Sequence, residues 1–123
     1  MNGIIYAVGG GADGGIHEAY DPMSATWTTK TSMLTGRSGT SAGVINGKLY
    51  VVGGHYTEYD NYYGVPLNVG QGTLEVYDPV TDMWIRQVPM TFRRWDSAAA
   101  VINNKLYVVG GGYTGALEAF TPP

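Results

Sequence analysis

Cysteine is absent from the 123 residues. That removes disulfides, thiolate nucleophiles and cysteine-ligated metals from consideration. Charge is scarce: charged residues make up 14% of the chain, the formal net charge is −3 and the pI is about 5.1. An acidic balance argues against nucleic acid as a partner, because phosphate binding needs a basic surface. Histidine occurs only as His17 and His55, at no metal-ligand spacing. No apolar run approaches the ~20 residues that span a bilayer. The opening Met1-Asn2-Gly3 has neither the basic region nor the apolar core of a signal peptide. Helical periodicity with caps is missing too. Phenylalanine occurs twice against ten tyrosines, which favours aromatic rings with one polar end wet or hydrogen-bonded.

What is present is glycine, at 19 residues, clustered where short apolar runs end. One complete unit stands out, from Thr40 to Trp84. Run a is Thr40-Ser41-Ala42-Gly43-Val44-Ile45, followed by the tight-turn pair Asn46-Gly47. Run b, Lys48-Leu49-Tyr50-Val51-Val52, stops at Gly53-Gly54. A long polar loop leads to run c, Thr73-Leu74-Glu75-Val76-Tyr77, which Asp78-Pro79 halts. Run d, Met83-Trp84-Ile85-Arg86-Gln87, carries a tryptophan. Runs this short, rich in Val, Ile, Leu and Tyr and bounded by Gly, Pro, Asn or Asp, read as strands. Asn-Gly between two of them favours a type I′ hairpin, in which both central residues take positive φ.

The rest of the chain repeats this unit incompletely. Asn2-Gly3, Ile4–Val8, Gly9-Gly10, Ile16–Tyr20, Asp21-Pro22 and Thr26-Trp27-Thr28 supply runs b, c and d. Ala98–Ile102, Asn103-Asn104, Lys105–Val109, Gly110-Gly111 and Leu117–Phe120 supply a, b and c. Trp27 and Trp84 are 57 residues apart, as are Tyr20 and Tyr77, and Tyr50 and Tyr107. Tyr6 to Tyr50 is only 44; the difference lies between runs b and c, where the middle copy inserts roughly His55 to Gly72 and the first needs only residues 11–15. A period near fifty in a glycine-punctuated chain predicts radially repeated four-stranded antiparallel meanders, ten strands in all.

These features resemble the kelch repeat: Tyr50 before Gly53-Gly54, Glu75-x-Tyr77-Asp78-Pro79, then Trp84, with Arg37 or Arg94 ahead of run a. The resemblance covers essentially the whole chain. It implies an all-β fold of β-propeller blades, run a lining the central channel and run d outermost. Five to seven blades complete such a ring, about 250 to 350 residues at this repeat length. The expectation is therefore an incomplete ring of three blades in one domain: residues 1–36 lacking strand a, 37–93 complete, and 94–123 lacking strand d. An arc of this kind leaves a bare apolar face at each end and unpaired strand edges. The chain is expected to assemble with copies of itself, as a closed ring or head-to-tail filament, or to belong to a longer propeller.

Strand parity puts the b–c loops and the d–a connections, about 30–37 and 87–95, on one side. That side is expected to carry the candidate contacts to a protein or glycan: Arg37, His55, Tyr56, Tyr59, Tyr62, Tyr63, Arg93, Arg94, Trp95 and Tyr113, with Glu58 and Asp60 among them. Aromatics and arginine are the residue types that dominate binding hot spots. Against this, Arg37 and Arg94 stand at one repeat position, which favours a structural role in tying adjacent blades together. Trp27 and Trp84 are expected to pack between blades, Tyr6, Tyr50 and Tyr107 to be core or inter-blade residues, and Glu18, Glu75 and Glu118 to make a repeated hydrogen bond.

Catalysis has little to rest on. The histidines are expected in loops of different blades. Gly9-Gly10-Gly11 lacks the helix and lysine of a phosphate loop. Asp13, Glu58, Asp60 and Asp96 could supply a carboxylate pair, with nothing to fix its geometry. The copper site of some related propeller enzymes needs a cysteine, so no cofactor is called for. The expected function is a non-catalytic binding or assembly module; the alternative is part of a carbohydrate-active propeller enzyme or lectin.

Overall fold

A computed structural model describes residues 1–11 and 15–123; Asp13 lies outside the described residues. Twelve strands are formed among them: β1 (Ile5–Val8), β2 (His17–Asp21), β3 (Thr26–Thr29), β4 (Ser41–Ile45), β5 (Lys48–Val52), β6 (His55–Tyr59), β7 (Pro66–Gly70), β8 (Leu74–Asp78), β9 (Met83–Gln87), β10 (Ala98–Ile102), β11 (Lys105–Val109) and β12 (Leu117–Phe120). Ten are the runs expected from the sequence, paired antiparallel as β1-β2-β3, β4-β5-β8-β9 and β10-β11-β12. The other two, β6 and β7, are a correction. The insertion between runs b and c is a two-stranded hairpin and not an irregular loop.

Local chemistry sets these boundaries. Asn46 and Gly47 hold φ at 49° and 73°, and Asn103 and Asn104 hold 48° and 58°. Both pairs thus adopt the two left-handed conformations a type I′ hairpin demands. Gly54 has φ 94° and donates its N–H to Arg94 O in the next blade at 2.9 Å. A Cβ on Gly54 would sit 2.6 Å from Ser38 O of its own blade and one on Gly53 2.7 Å from Arg94 O of the next, so the double glycine both ends β5 and lets two blades touch through backbone.

The core lies between blades. One face of the middle blade, Leu49, Val51, Tyr77 and Trp84, closes with Met33 over Tyr6 and Val8 of the first. The opposite face, Ile45, Tyr50, Val52, Leu74 and Val76, closes over Leu106 and Val108 of the third. The two central strands of the middle blade, β5 and β8, therefore bury residues of both parities, and all of Leu49–Val52 are buried. The strands β4 and β10 are neighbours on the inner side of the arc. Their approach depends on Gly43, where a Cβ would meet Val101 Cγ2 at 2.7 Å and Leu106 Cδ1 at 2.8 Å.

The ends differ from the middle. Ile5 and Trp27 of the first blade are 57% and 56% exposed, and Leu117 and Ile102 of the third are 64% and 55% exposed. Trp84 packs between blades as expected, but Trp27 does not; it is more than half exposed, and its ring lies 5.0 Å from that of Tyr20 in its own sheet. His17 is also corrected: it lies within β2, fully buried against the rings of Tyr77 and Trp84.

Candidate binding face

The two arginines expected on the loop face are inside the protein. Arg37 precedes β4, and its guanidinium donates to Val51 O, Gly53 O and Thr73 O at 3.2, 2.7 and 2.7 Å and to Glu75 Oε2 at 3.1 Å. Arg94 precedes β10 and does the same with Gly110 O, Ala116 O and Glu118 Oε2 at 3.3, 2.6 and 2.6 Å. Each side chain thus closes the b–c end of its own blade, where two strands diverge and leave carbonyls unpaired. The contact between blades runs through the arginine carbonyls, as Gly54 N to Arg94 O. Burial pulls the Arg37 guanidinium below its ordinary value and Glu75 opposes that shift. Both guanidinium groups are buried and committed to these bonds. The repeated glutamate bond holds for Glu75 and Glu118.

The rest of the set divides into a base and a tip. At the base, His55 opens β6 and forms a bridge with Ser38, N–H to O in both directions at 2.8 Å. Trp95 is half-buried, with ring centroids 6.3 Å from His55 and 6.1 Å from Tyr113. It reaches that place because Gly70 has no side chain: a Cβ there would lie 2.8 Å from the indole. Tyr113 itself is fully exposed. Tyr56 donates to Glu58 Oε1 at 2.8 Å, and Arg93 is exposed nearby. A cavity of about 280 Å³ opens between Gly10, Gly36, Ser38, His55, Tyr56 and Thr57. His55 Nδ1 is buried there without a partner.

At the tip, Asp60 organises the turn of the β6–β7 hairpin. Its carboxylate accepts the N–H groups of Tyr62 and Tyr63, and its carbonyl accepts Gly64 N–H at 2.9 Å. The turn holds Tyr59, Tyr62 and Tyr63 in water at 68%, 87% and 79% exposure, the last two with ring centroids 5.5 Å apart. Ser38 and Gln71 border the base and were not singled out from sequence; Ser38 adjoins Arg37, and Gln71 ends the insertion. Glu58, Asp60 and Asp96 do not converge on one point, and no metal-binding group of three His, Asp or Glu exists among the described residues.

Residues 36–91 match the Kelch motif. The chain belongs to the kelch-repeat family. It is 33% identical to Kelch-like ECH-associated protein 1A of Danio rerio over 89% of its own length, and 30% identical to Kelch-like protein 23 of Homo sapiens over 99%. It spans only 18% and 30% of those two kelch proteins. The solved structure of YjhT superposes with a TM-score of 0.72 and 25% identity, over 90% of this chain and 32% of that one. The kelch fold therefore holds for the arc, which is open and not a closed ring.

Proposed function

We propose that this kelch arc is a non-catalytic binding and assembly module, completed by further blades stacked on both of its ends. One observation carries the reading. The bare face of the third blade, Ile102, Tyr107, Val109, Leu117 and Ala119, repeats the middle-blade face Ile45, Tyr50, Val52, Leu74 and Val76 position by position. The bare face of the first, Ile5, Ala7, Tyr20 and Trp27, likewise repeats Leu49, Val51, Tyr77 and Trp84. Those two kinds of face meet at both junctions inside the arc. Copies of the chain can therefore stack head-to-tail, closing as a ring or continuing as a filament; the same faces serve a longer propeller.

Ile5→Asp and Val109→Asp each put a charge on one bare face. Each variant alone is expected to be monomeric by light scattering, and an equal mixture to form one-to-one dimers through the remaining intact pair of faces. Association of either variant alone to the wild-type extent, or no dimer in the mixture, would overturn the reading.

The exposed tyrosines support a second part of this function, contact with a protein through the β6–β7 hairpin. Tyrosine supplies rigid, amphipathic area at low entropic cost. Deleting Thr57–Asn68 is expected to remove ligands found on a protein array while the arc stays folded; retention of every ligand would count against the hairpin.

A further inference from the structure

We infer that the outer edge of β6 docks an extended protein segment carrying a lysine or arginine, added as an antiparallel strand beside Thr57–Tyr59. This rests on the hairpin being a contact surface, and names its mode and its partner. The ends of the hairpin fix which backbone groups point where. His55 exchanges both of its backbone bonds with Ser38, so its N–H and C=O face away from β7. Gly54 O and Asp60 N–H instead bond across the hairpin, to Gln71 N–H and Val65 O at 2.8 and 2.9 Å. With a period of two, Tyr56 and Glu58 bond β7, while Thr57 and Tyr59 turn their N–H and C=O outward, in line with His55. Among the described residues nothing bonds those four groups. Ser38 begins a third strand on this edge and stops after one residue. The chain before it diverges at Gly36, leaving the cavity of about 280 Å³ against Tyr56 and Thr57.

The two edges of the hairpin are not alike. Pro66, opposite Tyr59, takes an outward-facing position on β7 and has no donor to offer, which blunts that edge. The outward positions of β6 keep their donors, so an added strand can bond there. Charge selects the occupant. Glu58 is exposed between the two outward residues, and its Oε1 accepts the Tyr56 hydroxyl at 2.8 Å. A second copy pairing edge to edge would set Thr57 against Tyr59 of the other chain. That register puts Glu58 directly opposite Glu58, in the type of pair where side chains lie closest, and like charges there repel. A slip towards the base meets His55, already bonded to Ser38, and a slip towards the tip runs past the end of β6 at Tyr59. A foreign strand with a basic residue at the same place turns the repulsion into an ion pair. The partner is thus an extended segment with Lys or Arg between strand-forming residues.

Selection of short random displayed peptides on the full chain, followed by calorimetry with the synthetic peptides recovered, tests this. The expected winners carry a lysine or arginine between strand formers. Thr57→Pro removes one outward donor and spares the inward bonds of Tyr56 and Glu58; it should weaken a winner about tenfold. Thr57→Val loses the same hydroxyl bond to Asn68 but keeps the donor, and should bind like the wild type. N-methylation of the peptide on either side of its basic residue needs no variant of the chain, and in one of the two places should cost as much as the proline. Glu58→Lys should weaken the basic winners about fivefold and move a fresh selection to Asp or Glu at that place. No enriched peptide, winners without a basic residue, or equal binding to Thr57→Pro and the wild type overturns the docking edge. Winners that ignore Thr57→Pro and Glu58→Lys yet are lost on deleting Thr57–Asn68 overturn the edge and leave the hairpin as a contact surface, so the two readings fail separately.

Discussion

Arg37 and Glu75 form a fully buried ion pair, Nη2 to Oε2 at 3.1 Å, at the point where β5 and β8 part. The guanidinium also caps three carbonyls. Removing it leaves a carboxylate and those carbonyls dry and unpaired. Arg37→Ala is expected to cost about 3–5 kcal/mol in urea unfolding. Arg86 lies 3.6 Å from the other Glu75 oxygen but is 61% exposed, and Arg86→Ala is expected to cost under about 1 kcal/mol. Equal costs for the two would contradict the structural role assigned to Arg37.

His17 occupies the repeat position that Leu74 fills in the middle blade. Burial lowers its pKa, with the bond to Thr31 O opposing the shift, and its Nε2 has no partner. The unfolded chain therefore binds a proton there at higher pH than the folded one. Stability is expected to fall as pH drops through about 6.5, the unfolded value, towards the lower folded one. His17→Leu should flatten that part of the pH profile and leave the arc at least as stable at pH 5. An unchanged profile would contradict this.

Gly54→Ala is expected to destabilise the arc by at least about 1–3 kcal/mol, since φ is 94° and the new Cβ would press on Ser38 O. Gly47→Ala has open space around its Cβ, so its cost should be confined to the strain of positive φ. Thermal unfolding of the two variants at one concentration checks the order.

Deleting Thr57–Asn68 removes most of a hairpin whose tip residues Tyr59, Tyr62 and Tyr63 are exposed. Far-UV circular dichroism should retain the sheet signal. Trp95, which leans on Gly70 and His55 at the base, should report the change by fluorescence. Loss of the whole fold would show that the hairpin belongs to the core.

The repeat was legible because each blade needs the same residues at the same places: Gly53-Gly54 to let blades touch, Asn46-Gly47 to turn, Trp84 to fill a junction. Comparison along one chain therefore located ten strands. The β6–β7 hairpin was not legible, since it occurs once and its composition is polar and aromatic without clear alternation. The arginines stood between two readings in the sequence, a loop-face contact and a tie between blades, and the sequence did not show that each closes the end of its own blade. Charge suggests surface, but diverging strand ends leave carbonyls that only a buried multi-donor group can satisfy. Trp27 was misjudged because a tryptophan at a junction position is buried only where a neighbouring blade supplies the other wall.

The central claim is that the end faces bearing Ile5, Trp27, Val109 and Leu117 need covering from outside the described strands. Multi-angle light scattering of the 123-residue chain tests it most directly. The account predicts particles of at least twice 13.2 kDa that dissociate on dilution or with charge on either face. A monodisperse, cooperatively folded particle of 13.2 kDa at high concentration would contradict it.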